Sequence, residues 1–147
     1  MRENILPKDQ SAWIFILAAV LALFFEISAT TLPLIIGVFV LTAVIFRKNW
    51  VFAAAFLVGL IFDILTFRAV GTTSAFLIFL IFLIFLYENK FEIETLPFVF
   101  VSTFLSSFAF LIFLGYGNLL PQAFLVSLVT SIFFQFLSAS WHDKIER

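Results

Sequence analysis

The chain has 147 residues, of which 64% are hydrophobic and 12% are charged. A soluble domain carries about 25% charged residues and roughly 45–50% apolar ones, so the composition excludes an ordinary water-soluble domain, and the apolar excess also excludes intrinsic disorder. The chain has no cysteine, which excludes a disulfide scaffold, and a net charge of −1, which gives no electrostatic basis for nucleic-acid binding. These properties predict an all-α integral membrane protein with one transmembrane domain, residues 1–147.

Six continuous apolar runs follow one another along the chain, separated by short polar or Gly/Pro-containing segments. They are residues 12–27, 34–46, 51–65, 73–87, 96–114 and 121–139. A helix needs about 17–25 apolar residues to cross a hydrocarbon core of about 30 Å. The second and third runs reach that length only if flanking residues join them. We therefore predict a compact bundle of six transmembrane helices. The first is a retained span rather than a cleaved signal peptide, because the segment before it has balanced charges.

The positions of lysine and arginine predict the orientation of this bundle. With six spans, both termini lie on one side of the membrane. All lysines and arginines except Arg68 lie on that side as well; they are Arg2, Lys8, Arg47, Lys48, Lys90, Lys144 and Arg147. The three tryptophans fall at helix ends on the same side: Trp13, Trp50 and Trp141. Cytoplasmic loops carry the excess of Lys and Arg in membrane proteins, and Trp is enriched at membrane interfaces. Both termini are therefore expected to be cytoplasmic.

Two acidic residues within the apolar runs are candidates for function, because ionisable groups inside a membrane are costly. Each ends a row of small residues spaced four apart, which favours close helix packing: Ala18, Ala22 and Glu26 in the first run, and Ala55, Gly59 and Asp63 in the third. Arg68 is the only basic residue expected on the outer side. We hypothesise that Arg68 pairs with Asp63, Glu26 or both and ties the first and third helices together. The alternative is a solvated interfacial pair that merely ends the helices.

Polar side chains also follow one stripe of the sixth run: Ser127, Ser131, Gln135 and Ser138. The fifth run offers Ser102, Thr103, Ser106 and Ser107. Such residues are expected to hydrogen-bond between helices, and the alternative is a polar cavity between the fifth and sixth helices that is open to a ligand. The sequence contains none of the common catalytic, metal-binding or phosphate-binding motifs. We therefore expect no enzymatic activity, no metal and no cofactor.

The segment 59–71 resembles the signature region of the rod shape-determining protein MreD family. Members show Gly-x-x-x-Asp at the end of a middle helix and a second glycine eight residues later, and here Gly59, Asp63 and Gly71 occupy those positions. Thr66, Phe67 and Arg68 stand where members commonly have small residues. The resemblance implies a non-catalytic subunit of the bacterial inner membrane that serves cell elongation. Its implied partners are the bitopic protein MreC, the actin-like MreB, and the wall glycosyltransferase and transpeptidase.

The same family is similar in fold to the S components of energy-coupling-factor vitamin transporters, which bind substrates. Two functions therefore stay open. One is a scaffold that binds the transmembrane helix of a partner against the small-residue rows and the outer carboxylates, and the other is a substrate-binding transport subunit. Ala18-x-x-x-Ala22 and the polar stripe favour the transport subunit, because S components use such an alanine pair to meet their energy-coupling subunit. The outer loops, at about residues 28–33, 66–72 and 115–120, are too short to cover a ligand, and this favours the scaffold.

Overall fold

The computed structural model describes residues 8–28 and 32–145. Within these ranges it contains six α-helices and no strand: α1 Lys8–Ser28, α2 Leu34–Phe46, α3 Trp50–Leu65, α4 Thr72–Glu88, α5 Leu96–Phe113 and α6 Leu119–Ile145. The helices coincide closely with the six apolar runs, except that α1 begins earlier and α6 continues beyond its run. The prediction of an all-helical chain is confirmed.

The connections between the helices have local causes. α2 ends at Arg47, whose φ of 45° turns the chain toward α3. α5 begins with Pro97 in its first turn, where the missing N–H of proline costs no helical hydrogen bond. α4 begins after Gly71, whose φ of 95° lies in the region that glycine adopts without strain. These breaks divide one long apolar sequence into separate helices.

The centre of the bundle is α2, which contacts all five of the other helices. Its buried side chains include Ile35, Ile36 and Phe39, each with no exposed surface. The pairs α3–α4 and α5–α6 pack as two extensive helical hairpins around it. α1 is peripheral and packs mainly on α2. The core is therefore built around the shortest helix.

The two ends of the bundle carry different charges. At one end, Arg47 joins the α2–α3 turn to the α4–α5 connection, because its Nε lies 3.1 Å from Glu88 Oε1 and its Nη2 lies 3.1 Å from Glu94 Oε1. We call this the Arg47 end. The opposite end contains the α3–α4 and α5–α6 connections, which meet where the Arg68 guanidinium donates to the Tyr116 hydroxyl. We call it the Arg68 end.

Several polar side chains are buried within the apolar interior, and many large apolar side chains are exposed. Buried side chains include hydroxyls and a carboxylate, among them Thr42, Asp63, Ser74, Thr103 and Ser107. Large apolar side chains point outward, and Phe136 is 76% exposed and Trp13 71% exposed. In the part of the chain that the structure describes, Leu96–Phe113 and Leu119–Ala139 are long and apolar enough to cross a membrane, whereas the other four apolar helices are shorter.

Candidate functional site

The residues of the 59–71 segment build the α3–α4 hairpin. Gly59 lies against α4 so closely that a Cβ atom added to it would be 2.6 Å from the Cα, N and Oγ atoms of Ser74. The Ser74 hydroxyl donates to the Phe56 carbonyl across the same contact, at 2.9 Å. Only glycine permits the two backbones to approach to this distance. Gly59 is therefore a helix-packing residue inside the molecule.

Asp63 holds the start of α4. Its side chain has no exposed surface. Its Oδ2 accepts hydrogen bonds from the Gly71 N–H at 2.8 Å and from the Thr73 N–H at 3.1 Å. The first N–H groups of a helix lack partners within the helix and carry partial positive charge, so a carboxylate satisfies both needs. Gly59, Asp63 and Gly71 thus act together to fix one hairpin.

The predicted ion pair between Arg68 and a carboxylate is wrong. Among the described side chains, ion pairs within 4 Å are formed by Arg47 alone. Arg68 instead donates to the Tyr116 hydroxyl of the α5–α6 connection, and its guanidinium carbon lies 5.8 Å from the ring centre of Phe62 and 5.4 Å from that of Tyr116. The Asp63 carboxylate accepts instead from the backbone N–H groups of Gly71 and Thr73. Arg68 therefore ties the α3–α4 connection to the α5–α6 connection, and it does not tie α1 to α3.

Glu26 lies at the end of α1 and faces the α2 start. Its Oε2 accepts a hydrogen bond from the Ile35 N–H at 3.1 Å. Like Asp63, this carboxylate binds an N–H group at the beginning of the next helix. The two acidic residues that the sequence singled out therefore have the same kind of role at two successive hairpins.

A cavity of about 370 Å³ opens at the Arg68 end. Its wall includes both Glu26 and Arg68, together with the aromatic side chains of Phe62, Phe110 and Tyr116. The structure thus brings Glu26 and Arg68 to one site, as the sequence suggested, but with space between them rather than a direct contact. Asp63 does not line this cavity.

The small-residue rows lie mostly inside the bundle. Ala22 is 7% exposed, Ala55 and Gly59 are buried, and Ala18 is half-buried. In α1 the buried row runs through Phe15, Ala19 and Ala22, which is one residue away from the expected register at Ala18. These rows serve contacts between the chain's own helices.

The polar stripe of α6 divides into two parts. Ser127 and Ser131 are buried, whereas Gln135 is exposed and Ser138 is half-buried. Ser127 donates to the Phe124 carbonyl of its own helix at 2.8 Å, so it does not form the expected interhelical bond. The hydroxyls of Thr103, Ser107 and Ser131 have no hydrogen-bond partner among the described residues. A second, mainly apolar cavity of about 400 Å³ lies between the start of α5 and the later part of α6, and Ser131 and Gln135 line it.

Several structural residues escaped the sequence reasoning. Gly37 lies where α2 meets α6, and a Cβ added there would be 2.2 Å from the Thr130 hydroxyl. The sequence feature that could have indicated this close contact is the lone glycine in the second apolar run. No sequence pattern indicated the role of Tyr116, because its partner Arg68 is 48 positions away in the chain. The acidic segment 88–94 meets Arg47 of the same chain, through Glu88 and Glu94.

Some of the predicted cytoplasmic charges, Arg2 and Arg147, lie outside the described residues. Within the described ranges no group of three or more His, Asp or Glu side chains could hold a metal ion. The chain matches no protein-family model, and no curated protein or solved structure is significantly similar to it.

Proposed function

We propose that the chain is a non-catalytic scaffold subunit of the bacterial cell-elongation machinery. Its six helices cross the inner membrane with both termini in the cytoplasm, and it binds a bitopic MreC-like protein. Through that partner it works with MreB and with the glycosyltransferase and transpeptidase that build the lateral wall. The proposal combines the resemblance of the segment 59–71 to the MreD family with the distribution of polarity in the bundle.

The outward apolar surface supports the membrane location. Side chains such as Phe24 and Phe136 would be in water in a soluble protein, and contiguous exposed apolar surface of this kind marks contact with membrane or protein. α2, with 13 residues, spans only about 20 Å. It is enclosed by the other helices, so its ends need not reach both lipid interfaces themselves.

The ends of the bundle support the orientation. Arg47, Lys48 and Lys90 lie in the two connections at the Arg47 end. Arg68 is the single Lys or Arg of the connections at the opposite end that the structure describes. The excess of positive charge supports a cytoplasmic location of the Arg47 end.

The observation that carries the proposal is the joint action of the residues on which the resemblance rests. One hairpin contains all three residues. Gly59 permits the close approach of α3 and α4, Asp63 caps the start of α4, and Gly71 adopts the positive φ before α4. Because Gly59 and Ala55 are used inside the bundle, a partner helix would meet the outward apolar faces and not these rows. This replaces the sequence-based idea that the rows themselves are the docking site.

Depletion of the chain in the bacterium that encodes it tests the function. We expect rod-shaped cells to widen and round up, because lateral wall synthesis loses its membrane scaffold. Cell width and incorporation of labelled wall precursor along the side wall are the measurements. A plasmid copy of the wild-type chain should restore both, and a tagged copy should retain the MreC-like protein through purification.

Unchanged rod shape after depletion, with side-wall incorporation at the normal level, would overturn the scaffold function. Purification with energy-coupling ATPase subunits in place of the MreC-like protein would favour the transport subunit.

A further inference from the structure

The cavity at the Arg68 end has the dimensions of a ligand site. Small-molecule sites commonly have volumes of about 300–1,000 Å³, and this cavity has about 370 Å³. It lies among the ends of α1, α3 and α5. Its wall contains the Glu26 carboxyl, the Arg68 guanidinium and four aromatic rings, from Phe62, Phe67, Phe110 and Tyr116.

Neighbouring residues hold each of these two groups, Arg68 and Glu26, in place. Arg68 is positioned by the Tyr116 hydroxyl and by the rings of Phe62 and Tyr116. A guanidinium carries five N–H donors, and the Tyr116 hydroxyl is the one acceptor of its side chain among the described residues. Glu26 is held through Oε2 by the Ile35 N–H. Both groups therefore keep hydrogen-bonding capacity for a ligand.

The Glu26 carboxyl and the Arg68 guanidinium line one cavity without forming an ion pair. A ligand that is only an anion would leave the carboxyl without a ligand donor, and one that is only a cation would leave the guanidinium without an ionic partner in a partly desolvated site, which is unfavourable. A ligand that carries an anion and a cation compensates both. Guanidinium groups bind phosphate and carboxylate oxygens through paired hydrogen bonds, and a primary ammonium donates well to a carboxylate.

We propose that this cavity binds a zwitterion of the phosphoethanolamine type, with the phosphate on Arg68 and the primary ammonium on Glu26. The group could come from an ethanolamine lipid headgroup or from a free phosphoethanolamine ester. The inference uses the membrane orientation of the proposed function, which places the cavity at the outer interface. It does not depend on the scaffold role, because binding is measured on the purified chain alone.

The test is ligand binding to the purified full chain in an uncharged detergent, followed by native mass spectrometry and thermal unfolding. The probes are glycerophosphoethanolamine and a short-chain phosphatidylethanolamine. The matched analogues are glycerophosphate, ethanolamine and glycerophosphocholine, whose quaternary ammonium cannot donate a hydrogen bond. We expect at least one ethanolamine probe to bind about tenfold more tightly than every analogue, which is the effect of one charge-assisted hydrogen bond.

Binding of both ethanolamine probes would identify the headgroup chemistry alone as sufficient, and binding of the lipid alone would identify the lipid as the source. Arg68→Gln and Glu26→Gln should each weaken binding by about tenfold. Arg47→Gln, at the opposite end, is the matched control and should bind as the wild type does. The analogue series uses the wild-type chain, so it stays decisive if a variant does not fold.

Absence of binding by both ethanolamine probes would overturn the proposal. Equal binding of the analogues, or unchanged binding in both the Arg68 and the Glu26 variants, would also overturn it. None of these results would bear on cell shape after depletion, so failure of the ligand site and failure of the scaffold function are distinguishable.

Discussion

Asp63 is the fully buried acidic side chain among those that the structure describes. Its carboxylate meets two backbone N–H groups at the start of α4, from Gly71 and Thr73. A buried charge is tolerated when hydrogen bonds and a helix N-terminus compensate it. The row of small residues that Asp63 ends predicted close helix packing there, and the Asp63 side chain is buried. The sequence could not show its partners, because the N–H groups that it caps lie 8 and 10 residues further along the chain, beyond a turn.

Asp63→Asn is expected to destabilise the chain by about 1–2 kcal/mol. Asparagine keeps one acceptor oxygen, but its NH₂ group cannot accept from a backbone N–H, and the favourable charge at the helix start is lost. Reversible unfolding in mixed micelles measures the change. Glu92→Gln, an exposed acidic residue of the α4–α5 connection, is the control and should have little effect. Equal stability of Asp63→Asn and wild type would contradict the capping role.

At the scale of the helices, the sequence predicted the elements better than their packing. The apolar runs predicted six helices because each run ends at a polar, glycine or proline position. They could not identify the inward faces, because both the interior and the proposed lipid environment are apolar, and the hydrophobic pattern then loses its contrast. For this reason the sequence predicted the wrong inward face of α1, where Ala19 and not Ala18 is buried. Close approaches such as Gly37 to Thr130 depend on a partner helix far along the chain.

Gly59→Ala tests the packing of α3 against α4. The added Cβ would lie 2.6 Å from backbone atoms of Ser74, so the two helices must move apart. Overpacking of this kind costs about 1–3 kcal/mol, and the same unfolding assay should show it. Gly117→Ala is the matched control, because a Cβ there meets no atom within 4 Å. If both variants were as stable as the wild type, the close α3–α4 contact would be incorrect.

For the whole molecule, the proposed function requires that the Arg68 end of the bundle faces outward. The prediction from charge needs only the sequence, but the structure adds that the connections of each end meet one another, through Arg47 and Glu88 at one end and Arg68 and Tyr116 at the other. The sequence indicated Glu26 and Arg68 as one cluster. It could not show the cavity that both residues line, since the aromatic wall comes from α3, α5 and the connections that follow these two helices.

The central claim is that six helices cross a membrane with the Arg68 end outside, and single-cysteine labelling tests it most directly. The chain has no cysteine, so each introduced thiol reports alone. Ala69→Cys and Gly117→Cys place thiols at exposed positions of the Arg68 end, and Asn49→Cys and Asn89→Cys do so at the Arg47 end. A membrane-impermeant maleimide should label the first two in intact spheroplasts and the last two only after lysis. Labelling of all four before lysis, or the reverse pattern, would contradict the account.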